Sequence, residues 1–249
     1  MHPSPIPCKV CGHQAPFLVA ADLSLNCARA PLPASGELIP YHQCADCGFL
    51  FTAAFDRWTP EQFRQRIYNE DYARVDYEFA SVRPLRQAAD LAGMLAPLQG
   101  KIRILDYGGG AGVFARRMSE LGFDTVSYDP FYPGGALPAG ERFELIHCRE
   151  VIEHTTDPQA FVADLLRYLA DDGAVYLSTA VQPEGVSERP LDWWYLGPRN
   201  GHISLFSKRS LARLWMDQGV DFGHFSEFVH MASRGSPPCL PLLMERGGA

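Results

Sequence analysis

The sequence lacks any run of lysine or arginine, and its overall charge is acidic. Its 249 residues include 22 lysines and arginines against 29 aspartates and glutamates, which gives a formal net charge of −7. Because nucleic acids and anionic membranes are bound through basic patches, this balance argues against both. We therefore expect no nucleic-acid partner and no membrane partner.

The chain also lacks a long hydrophobic run and an N-terminal leader pattern. Apolar residues make up 47% of the sequence, but none of their runs reaches the length of a membrane-spanning helix. The first eight residues include three prolines and have neither the charged region nor the apolar core of a signal peptide. We expect a cytoplasmic protein with one large or two smaller domains.

Cysteines are few, and four of them are paired. The total is seven, an odd number that argues against a disulfide framework in a chain without an export signal. Two C-x-x-C-G motifs occupy residues 8–12 and 44–48. Four thiolates suit tetrahedral zinc, in a closed site that leaves no position for zinc catalysis. We expect one structural zinc ion on these residues: Cys8, Cys11, Cys44 and Cys47. The alternative is a set of reduced, metal-free cysteines.

Patterning divides the chain into three parts. Residues 1–56 form the expected zinc-binding module, in which the 32 residues between Cys11 and Cys44 predict an inserted hairpin or loop. Residues 57–100 are expected to be a helical connector or lid that begins at a Thr59 cap. From 101 to 249 strand and helix patterns alternate, which predicts a parallel sheet.

The third part is organised around residues 103–115, which predict a buried strand, a glycine turn and the start of a helix. Gly108, Gly110 and Gly112 form a G-x-G-x-G spacing that lets the backbone approach a ligand. Such a turn points N–H groups and a helix N-terminus at the ligand. A dinucleotide fingerprint would need a third glycine at Val113, which argues against a Rossmann dehydrogenase. Asp129 ends the next strand, at the distance from which an acid reaches a ribose.

This stretch resembles motif I and the ribose-binding acid of class I S-adenosylmethionine (SAM)-dependent methyltransferases. The resemblance implies a doubly wound, Rossmann-like α/β sheet beside the small zinc-binding module. It also implies that Asp106 lies near the methionine end of SAM and that Asp129 holds both ribose hydroxyls. Phe131 is a candidate ring near the adenine. The implied cofactor set is Asp106, Gly108, Gly110, Gly112, Asp129, Phe131 and Glu150. The alternative is a tight turn with a solvated Asp129.

Residues 148–158 resemble the end of the fourth strand in this family, with its E-H-x-x-D-P pattern. The resemblance implies that strand-end residues such as Glu150 lie beside the methionine and methyl group. His154 would then be near the chemistry, although a capping or core role is equally compatible with the pattern. Farther on, we expect a turn at 171–173, a strand at 174–179, an antiparallel strand pair within 220–234 and an irregular C-terminus from Ser236.

Residues 192–207 form an unusual aromatic loop. Residues 201–207 resemble the G-H-[IV]-x-x-[FY]-S segment of zinc-containing methyltransferases, including those that methylate carbon in deoxysugars. The resemblance implies an acceptor site with a histidine in base chemistry. Gly201 stands where the sugar enzymes commonly have an acid, so a sugar acceptor does not follow.

Together these features predict methyl transfer from SAM to a small-molecule acceptor, at carbon or oxygen, with a structural zinc. Deprotonating such an acceptor needs a base with a pKa near neutral, and histidine fits. The candidate catalytic residues are His202, then His154, with Tyr195 shaping the acceptor pocket beside Trp194 and Arg199. A structural turn role is the alternative for His202. The alternative function is a zinc-ribbon scaffold that binds a partner protein without catalysis. The acceptor and the oligomeric state are open at this point.

Overall fold

The computed structural model describes residues 3–132, 137 and 140–247. The chain forms two compact units, each assembled from separate segments. The first contains Met1–Tyr77, Ile152–Phe161 and Ala180–Leu214, and the second contains Glu78–Val151, Val162–Thr179 and Trp215–Ala249. The first unit contains a two-stranded and a four-stranded sheet, and the second contains a six-stranded sheet.

The strands range in length from two to ten residues. In chain order they are β1 Ile6–Pro7, β2 Gln14–Ala15, β3 Phe17–Asp22, β4 Leu38–Gln43, β5 Leu50–Phe51, β6 Arg103–Tyr107, β7 Asp124–Tyr128, β8 Phe143–Arg149, β9 Leu169–Ser178, β10 Ser204–Leu205, β11 Asp221–His224 and β12 Val229–Ser233.

The helices are of modest length. The α-helices are α1 Pro60–Arg66, α2 Val82–Met94, α3 Val113–Glu120, α4 Pro158–Leu166, α5 Lys208–Met216 and α6 Leu240–Gly247. Single 3₁₀ turns lie at Glu70–Arg74, Ala96–Leu98, Ile152–His154, Pro190–Asp192 and Pro198–Asn200. Over the described ranges, none of these helices is long and apolar enough to span a bilayer.

In the first unit, a four-stranded antiparallel sheet has the order β10-β5-β4-β3. The hairpin β3–β4 fills the gap between the two cysteine motifs, so the predicted insertion is confirmed. Strand β10 pairs with β5, with Ser204 opposite Phe51. A segment about 150 residues farther along the chain therefore extends the sheet of the N-terminal hairpin. The capping box at Thr59 is also confirmed, at the start of α1.

In the second unit, a six-stranded mixed sheet has the order β11-β12-β9-β8-β6-β7. Strands β7, β6, β8 and β9 are parallel, and β12 and β11 are antiparallel at one edge. The predicted parallel sheet and the predicted antiparallel pair are both confirmed. Helices α2 and α3 pack over one face, where Leu91, Phe114 and Leu145 belong to a single buried cluster.

Two local predictions were wrong. Strand β9 already begins at Leu169, which pairs with Phe143 of β8. The next pair is Leu145–Ala174, and residues 170–173 bulge out between these two pairs. The expected separate turn is therefore a bulge within one strand. The C-terminus forms α6 rather than an irregular tail, since Leu243 is fully buried in the apolar cluster of this unit.

Candidate functional site

The glycine turn after β6 is held to the end of β7 by backbone hydrogen bonds. The N–H groups of Gly108 and Gly109 donate to the Tyr128 carbonyl at 2.7 and 3.1 Å. Gly108, Gly110 and Gly112 have φ angles of +80°, +55° and +71°, in the left-handed region that glycine enters without a steric cost. The predicted G-x-G-x-G residues are therefore the ones that reverse the chain direction.

Space as well as backbone conformation restricts this turn. A Cβ atom on Gly108 would lie 2.5 Å from Val151 Cγ2, and one on Gly109 would lie 2.1 Å from Asp106 Oδ2. A Cβ atom on Gly110 would meet its nearest neighbour, the Tyr132 ring, only at 3.8 Å. The turn is thus tight over Val151 and Asp106 and open at Gly110.

Asp106, at the end of β6, is buried beneath this turn with 3% of its surface exposed. Its Oδ1 lies 3.1 Å from Nδ1 of His147, and its Oδ2 accepts a hydrogen bond from the Ser127 hydroxyl at 3.3 Å. The carboxylate is therefore engaged on both sides by neighbouring strands. Its role toward a cofactor stays a prediction.

Asp129 connects the glycine turn to the loop after β7. Its Oδ2 accepts the Gly110 N–H at 2.9 Å, and its Oδ1 accepts the Phe131 N–H at 2.8 Å. These two bonds fix the orientation of the carboxylate beside the glycine turn. Asp129 and Phe131 are hydrogen-bonded neighbours, and their roles toward a cofactor stay predictions.

Glu150 follows β8 in an unusual backbone conformation. Its φ of +56° is in the left-handed region, which is uncommon for a residue other than glycine. Its backbone N–H donates to the Ser178 carbonyl at 3.0 Å, and its Oε1 accepts the Ser178 hydroxyl at 2.9 Å. Strained residues of this kind persist where surrounding contacts enforce them, and they cluster at functional sites.

These acids share one edge of the sheet. Asp106, Asp129 and Glu150 lie at or just after the carboxyl ends of three neighbouring parallel strands. Strand order reverses at β6, because β7 lies on one side of it and β8 on the other. In open α/β sheets, ligands bind at the carboxyl ends of the strands where the order reverses. The predicted cofactor residues therefore share the edge of the sheet at which such folds bind ligands, and their roles toward a cofactor stay predictions.

A second group of ionisable side chains lies in the first unit. It consists of Glu153, His154, Tyr195 and His202. The two imidazole rings are 5.0 Å apart, and the His202 ring is 4.2 Å from the Tyr195 ring. The three predicted catalytic residues are therefore neighbours, although they come from two separate stretches of the chain.

Backbone carbonyls determine which imidazole nitrogen is basic. Nδ1 of His202 lies 2.8 Å from the Tyr195 carbonyl, and Nδ1 of His154 lies 3.0 Å from the Gly201 carbonyl. Since a carbonyl can only accept, each Nδ1 carries the proton, and Nε2 holds the lone pair. Ligand-type atoms of Glu153, His154 and His202 lie within 4.8 Å of one another, close enough for all three to be ligands of one metal ion.

The sequence did not single out Glu153 or Cys27, and both belong to this group. Glu153 is fully buried and accepts the Tyr195 hydroxyl at 2.6 Å. Cys27 Sγ lies 3.3 Å from His202 Nδ1. Glu153 could have been considered from its position before His154, whereas no local pattern points to Cys27.

Within the aromatic loop, Arg199 bonds the loop to residues 67–69. It is buried, and its guanidinium donates to the Ile67 carbonyl at 2.6 Å and to Asn69 Oδ1 at 2.8 Å. Trp194 is 45% exposed. Tyr68, from the segment expected to be a lid, contacts the His154 ring edge-on at 6.0 Å. The loop and the lid segment therefore meet within the first unit.

The two cysteine motifs converge as matched turns. Gly12 and Gly48 each have a φ of +75°, and each donates its N–H to the carbonyl of the first cysteine at 2.9 Å. The sulfur–sulfur distances are 3.6 Å for Cys8–Cys47, 3.4 Å for Cys11–Cys44 and 3.5 Å for Cys11–Cys47.

These sulfur distances fit a shared metal ion. Tetrahedral Zn–S bonds of about 2.3 Å would separate the sulfur atoms by about 3.8 Å. Hydrogen bonding with Cys47 lowers the pKa of the Cys8 thiol to about 5, and burial raises that of Cys11 to about 11. The thiols compete for protons at close range, and the chemistry of the donor set suits zinc.

Comparison with known proteins identifies the α/β part. Residues 78–222, more than half of the chain, match the family described as a methyltransferase domain. The chain belongs to this methyltransferase family. The expectation of a methyltransferase is thereby confirmed, and the alternative of a noncatalytic scaffold is not favoured.

Named relatives are distant. The chain is 27% identical over 149 residues to a ubiquinone biosynthesis O-methyltransferase of Cereibacter sphaeroides, covering 51% of this chain and 59% of that protein. It is 23% identical over 225 residues to a protein of the same name from Ruegeria sp., covering 78% of each chain. This chain thus spans less than two thirds of the first relative's length.

Solved structures show the same fold. A 1,6-didemethyltoxoflavin-N1-methyltransferase of Burkholderia thailandensis, solved with S-adenosylhomocysteine (SAH), superposes with a TM-score of 0.51 at 15% identity, over 77% of this chain and 98% of that one. An O-methyltransferase family protein of the same organism gives a TM-score of 0.51 at 13% identity, over 70% and 63%. The second unit therefore has the Rossmann-like methyltransferase fold.

The turn geometry makes a stability prediction. We expect Gly108→Ala to lower the free energy of unfolding by about 2–4 kcal/mol, from backbone strain plus the clash with Val151. In a Val151→Ala background, the same change should lower the free energy of unfolding by only about 1–2 kcal/mol. That remainder is the cost of holding an alanine at a left-handed φ angle. Gly110→Ala, with open space around its Cβ, is the matched control at about 1–2 kcal/mol. Urea unfolding of the wild type, Gly108→Ala, Val151→Ala, the double variant and Gly110→Ala gives the free energies of unfolding. Equal costs at 108 and 110 would show that the Val151 contact is unimportant.

Proposed function

We propose that this protein transfers a methyl group from SAM to a small-molecule acceptor, at oxygen or carbon, with a structural zinc ion in its N-terminal module. The observation that carries the proposal is the methyltransferase-family match over 78–222, which includes the glycine turn and its paired Asp129. The sulfonium of bound SAM supplies a methyl group on a good leaving group, so the protein's main task is to position the reactants.

The second unit holds the cofactor in this proposal. The N–H groups of Gly108, Gly109 and Gly110 are bonded within the protein, so in this proposal the N-terminus of α3 faces the cofactor, as helix N-termini do for nucleotide ligands. In this proposal Asp129 binds the ribose hydroxyls of SAM, from an orientation fixed by its bonds to the N–H groups of Gly110 and Phe131. Glu150 and Asp106 supply negative charge for the methionine ammonium group. The Phe131 ring contacts the adenine.

The histidine group supplies the base. His202 uses Nε2 to take the acceptor's proton, because its Nδ1 proton is directed at the Tyr195 carbonyl. His154 is the second candidate, with the same arrangement against Gly201. Tyr195 donates its hydroxyl to Glu153, so its phenol is held in one orientation at the pocket wall.

The names of the relatives favour an oxygen atom of the acceptor as the site of methylation. Both curated relatives described above are named O-methyltransferases. Carbon is supported by the resemblance of residues 201–207 to the loop of zinc-containing C-methyltransferases. We therefore propose an acceptor whose reacting hydroxyl or carbon is acidic enough for an imidazole base to deprotonate.

Cofactor binding tests the Asp129 assignment. We expect Asp129→Ala to weaken SAM and SAH binding by at least about tenfold, because it removes hydrogen bonds to a charged group. Asp129→Asn keeps one acceptor oxygen and should lose less. Calorimetric titration of the full-length protein with SAM, SAH and NAD gives the dissociation constants. Wild-type affinity for SAM in Asp129→Ala would remove the cofactor assignment.

Metal analysis tests the zinc site independently. Wild-type protein and Asp129→Ala should each contain one zinc per chain, whereas Cys44→Ser should contain none, because three thiolates no longer close the site. Cys239→Ser, a buried cysteine outside the cluster, is the matched control and should keep the zinc. Plasma mass spectrometry reports the ratio. Zinc that persists in Cys44→Ser would contradict the four-cysteine site.

Turnover tests the base. We expect His202→Ala to bind SAH like the wild type but to lose about 10²–10⁴-fold in turnover, the usual contribution of a general base. SAH release over a panel of phenols, catechols and carbon acids identifies an acceptor and then compares the variants. His154→Ala is run in parallel as the second candidate. Full activity of His202→Ala on any acceptor that the wild type methylates would exclude it as the base.

A further inference from the structure

A buried histidine lies beneath the glycine turn and was not among the candidate residues. His147, on β8, is 3% exposed, and its ring stacks on Phe114 with centroids 3.8 Å apart and planes within 3°. Phe114 belongs to the first turn of α3, directly after the glycines. One face of the imidazole is therefore covered by the helix that the turn begins.

His147 is the last member of a polar row across three strands. Asp106 pairs in register with Ser127 on β7 and with His147 on β8. Paired residues on neighbouring strands have side chains on the same face of the sheet. The carboxylate of Asp106 thus has a donor on each side, the Ser127 hydroxyl at 3.3 Å and the imidazole at 3.1 Å.

The protonation state of His147 follows from its surroundings. Burial lowers its pKa, so the ring is neutral near pH 7. A carboxylate oxygen accepts, so the single proton is on Nδ1 and points at Asp106. The other nitrogen, Nε2, is buried and has no hydrogen-bond partner among residues that the structure describes. An apolar side chain would avoid this orphaned acceptor, so filling the core is a poor account of this residue.

The row reaches the cofactor edge through Asp106. A Cβ on Gly109 would lie 2.1 Å from Asp106 Oδ2 and 2.3 Å from Ser127 Oγ. The backbone of the turn therefore rests directly on this carboxylate, and the rotation of the carboxylate determines the space left for the turn. The bond from His147 restrains that rotation on the β8 side.

We infer that His147 is a positioning residue for the SAM site: its Nδ1–H holds the Asp106 carboxylate in the rotamer on which the glycine turn is built. The inference rests on the proposed SAM site and adds a residue that has no direct contact with the cofactor. Without the bond, Asp106 rotates, the turn is no longer held in one conformation, and affinity for the cofactor falls.

Two substitutions of similar size separate the hydrogen bond from core filling. His147→Asn places an amide N–H near the position of Nδ1, whereas His147→Gln places its amide near Nε2, away from Asp106. SAH is the probe, and titration calorimetry of the full-length protein gives its dissociation constant. We expect His147→Gln and His147→Leu to weaken SAH binding at least about tenfold, the scale of one hydrogen bond to a charged group, and His147→Asn to remain within about threefold of the wild type.

A destabilised control excludes a general loss of structure. Leu145 lies two residues earlier on the same strand and the same face, fully buried in the apolar cluster. Leu145→Ala should lower the melting temperature at least as much as His147→Gln while leaving SAH affinity unchanged. Equal affinity losses in Leu145→Ala and His147→Gln would overturn the inference, as would wild-type affinity in His147→Leu. Failure of the SAM site itself would be recognised differently, by a wild-type protein that binds no SAH.

Discussion

The glycine turn after β6 can form only because residues 108 and 109 have no side chains. Val151 and Asp106 occupy the volume into which Cβ atoms at 108 and 109 would project, at 2.5 and 2.1 Å. The backbone can therefore pass close over the ends of β6 and β8, where the N–H groups of Gly108 and Gly109 donate to the Tyr128 carbonyl. Asp129 then bridges this turn to the following loop through Gly110. The shape of this edge of the sheet therefore depends on the close approach of the turn's backbone to the strands more than on any single polar contact.

The first unit shows a different principle, in which distant segments are fastened to the cysteine module. Gln182 donates to the Gly48 carbonyl at 2.8 Å, the Ser207 hydroxyl donates to the Cys47 carbonyl at 2.7 Å, and Arg213 bonds Asp46 at 2.6 Å. The loop that carries His202 is thus bound at both ends to the second cysteine knuckle. A metal ion bound by the four cysteines would stabilise the knuckle to which the His202 loop is bonded. It would not itself touch the histidines.

Sequence patterns predicted the second unit well, because its signals are local. The strand Arg103–Tyr107, the turn glycines and the helix after them follow from a buried run, backbone conformations that glycine alone tolerates, and apolar spacing. Long-range features were not predictable in this way. The pairing of β10 with β5 and the contact between Cys27 and His202 join residues more than 150 positions apart. Gly109 and His147 were also missed, because their importance comes from the side chain of Asp106 in three dimensions.

The pairing of β10 with β5 also limits how the chain can be divided. The first unit draws on three separate stretches of sequence, and Ser204 and Leu205 use β5 as their strand partner. A fragment that begins after residue 56 would leave the backbone groups of this segment unpaired beside buried Phe206. Exposed strand edges of this kind recruit other chains. The N-terminal cysteine module therefore supplies the strand partner of Ser204 and Leu205, and a fragment without it should be prone to self-association.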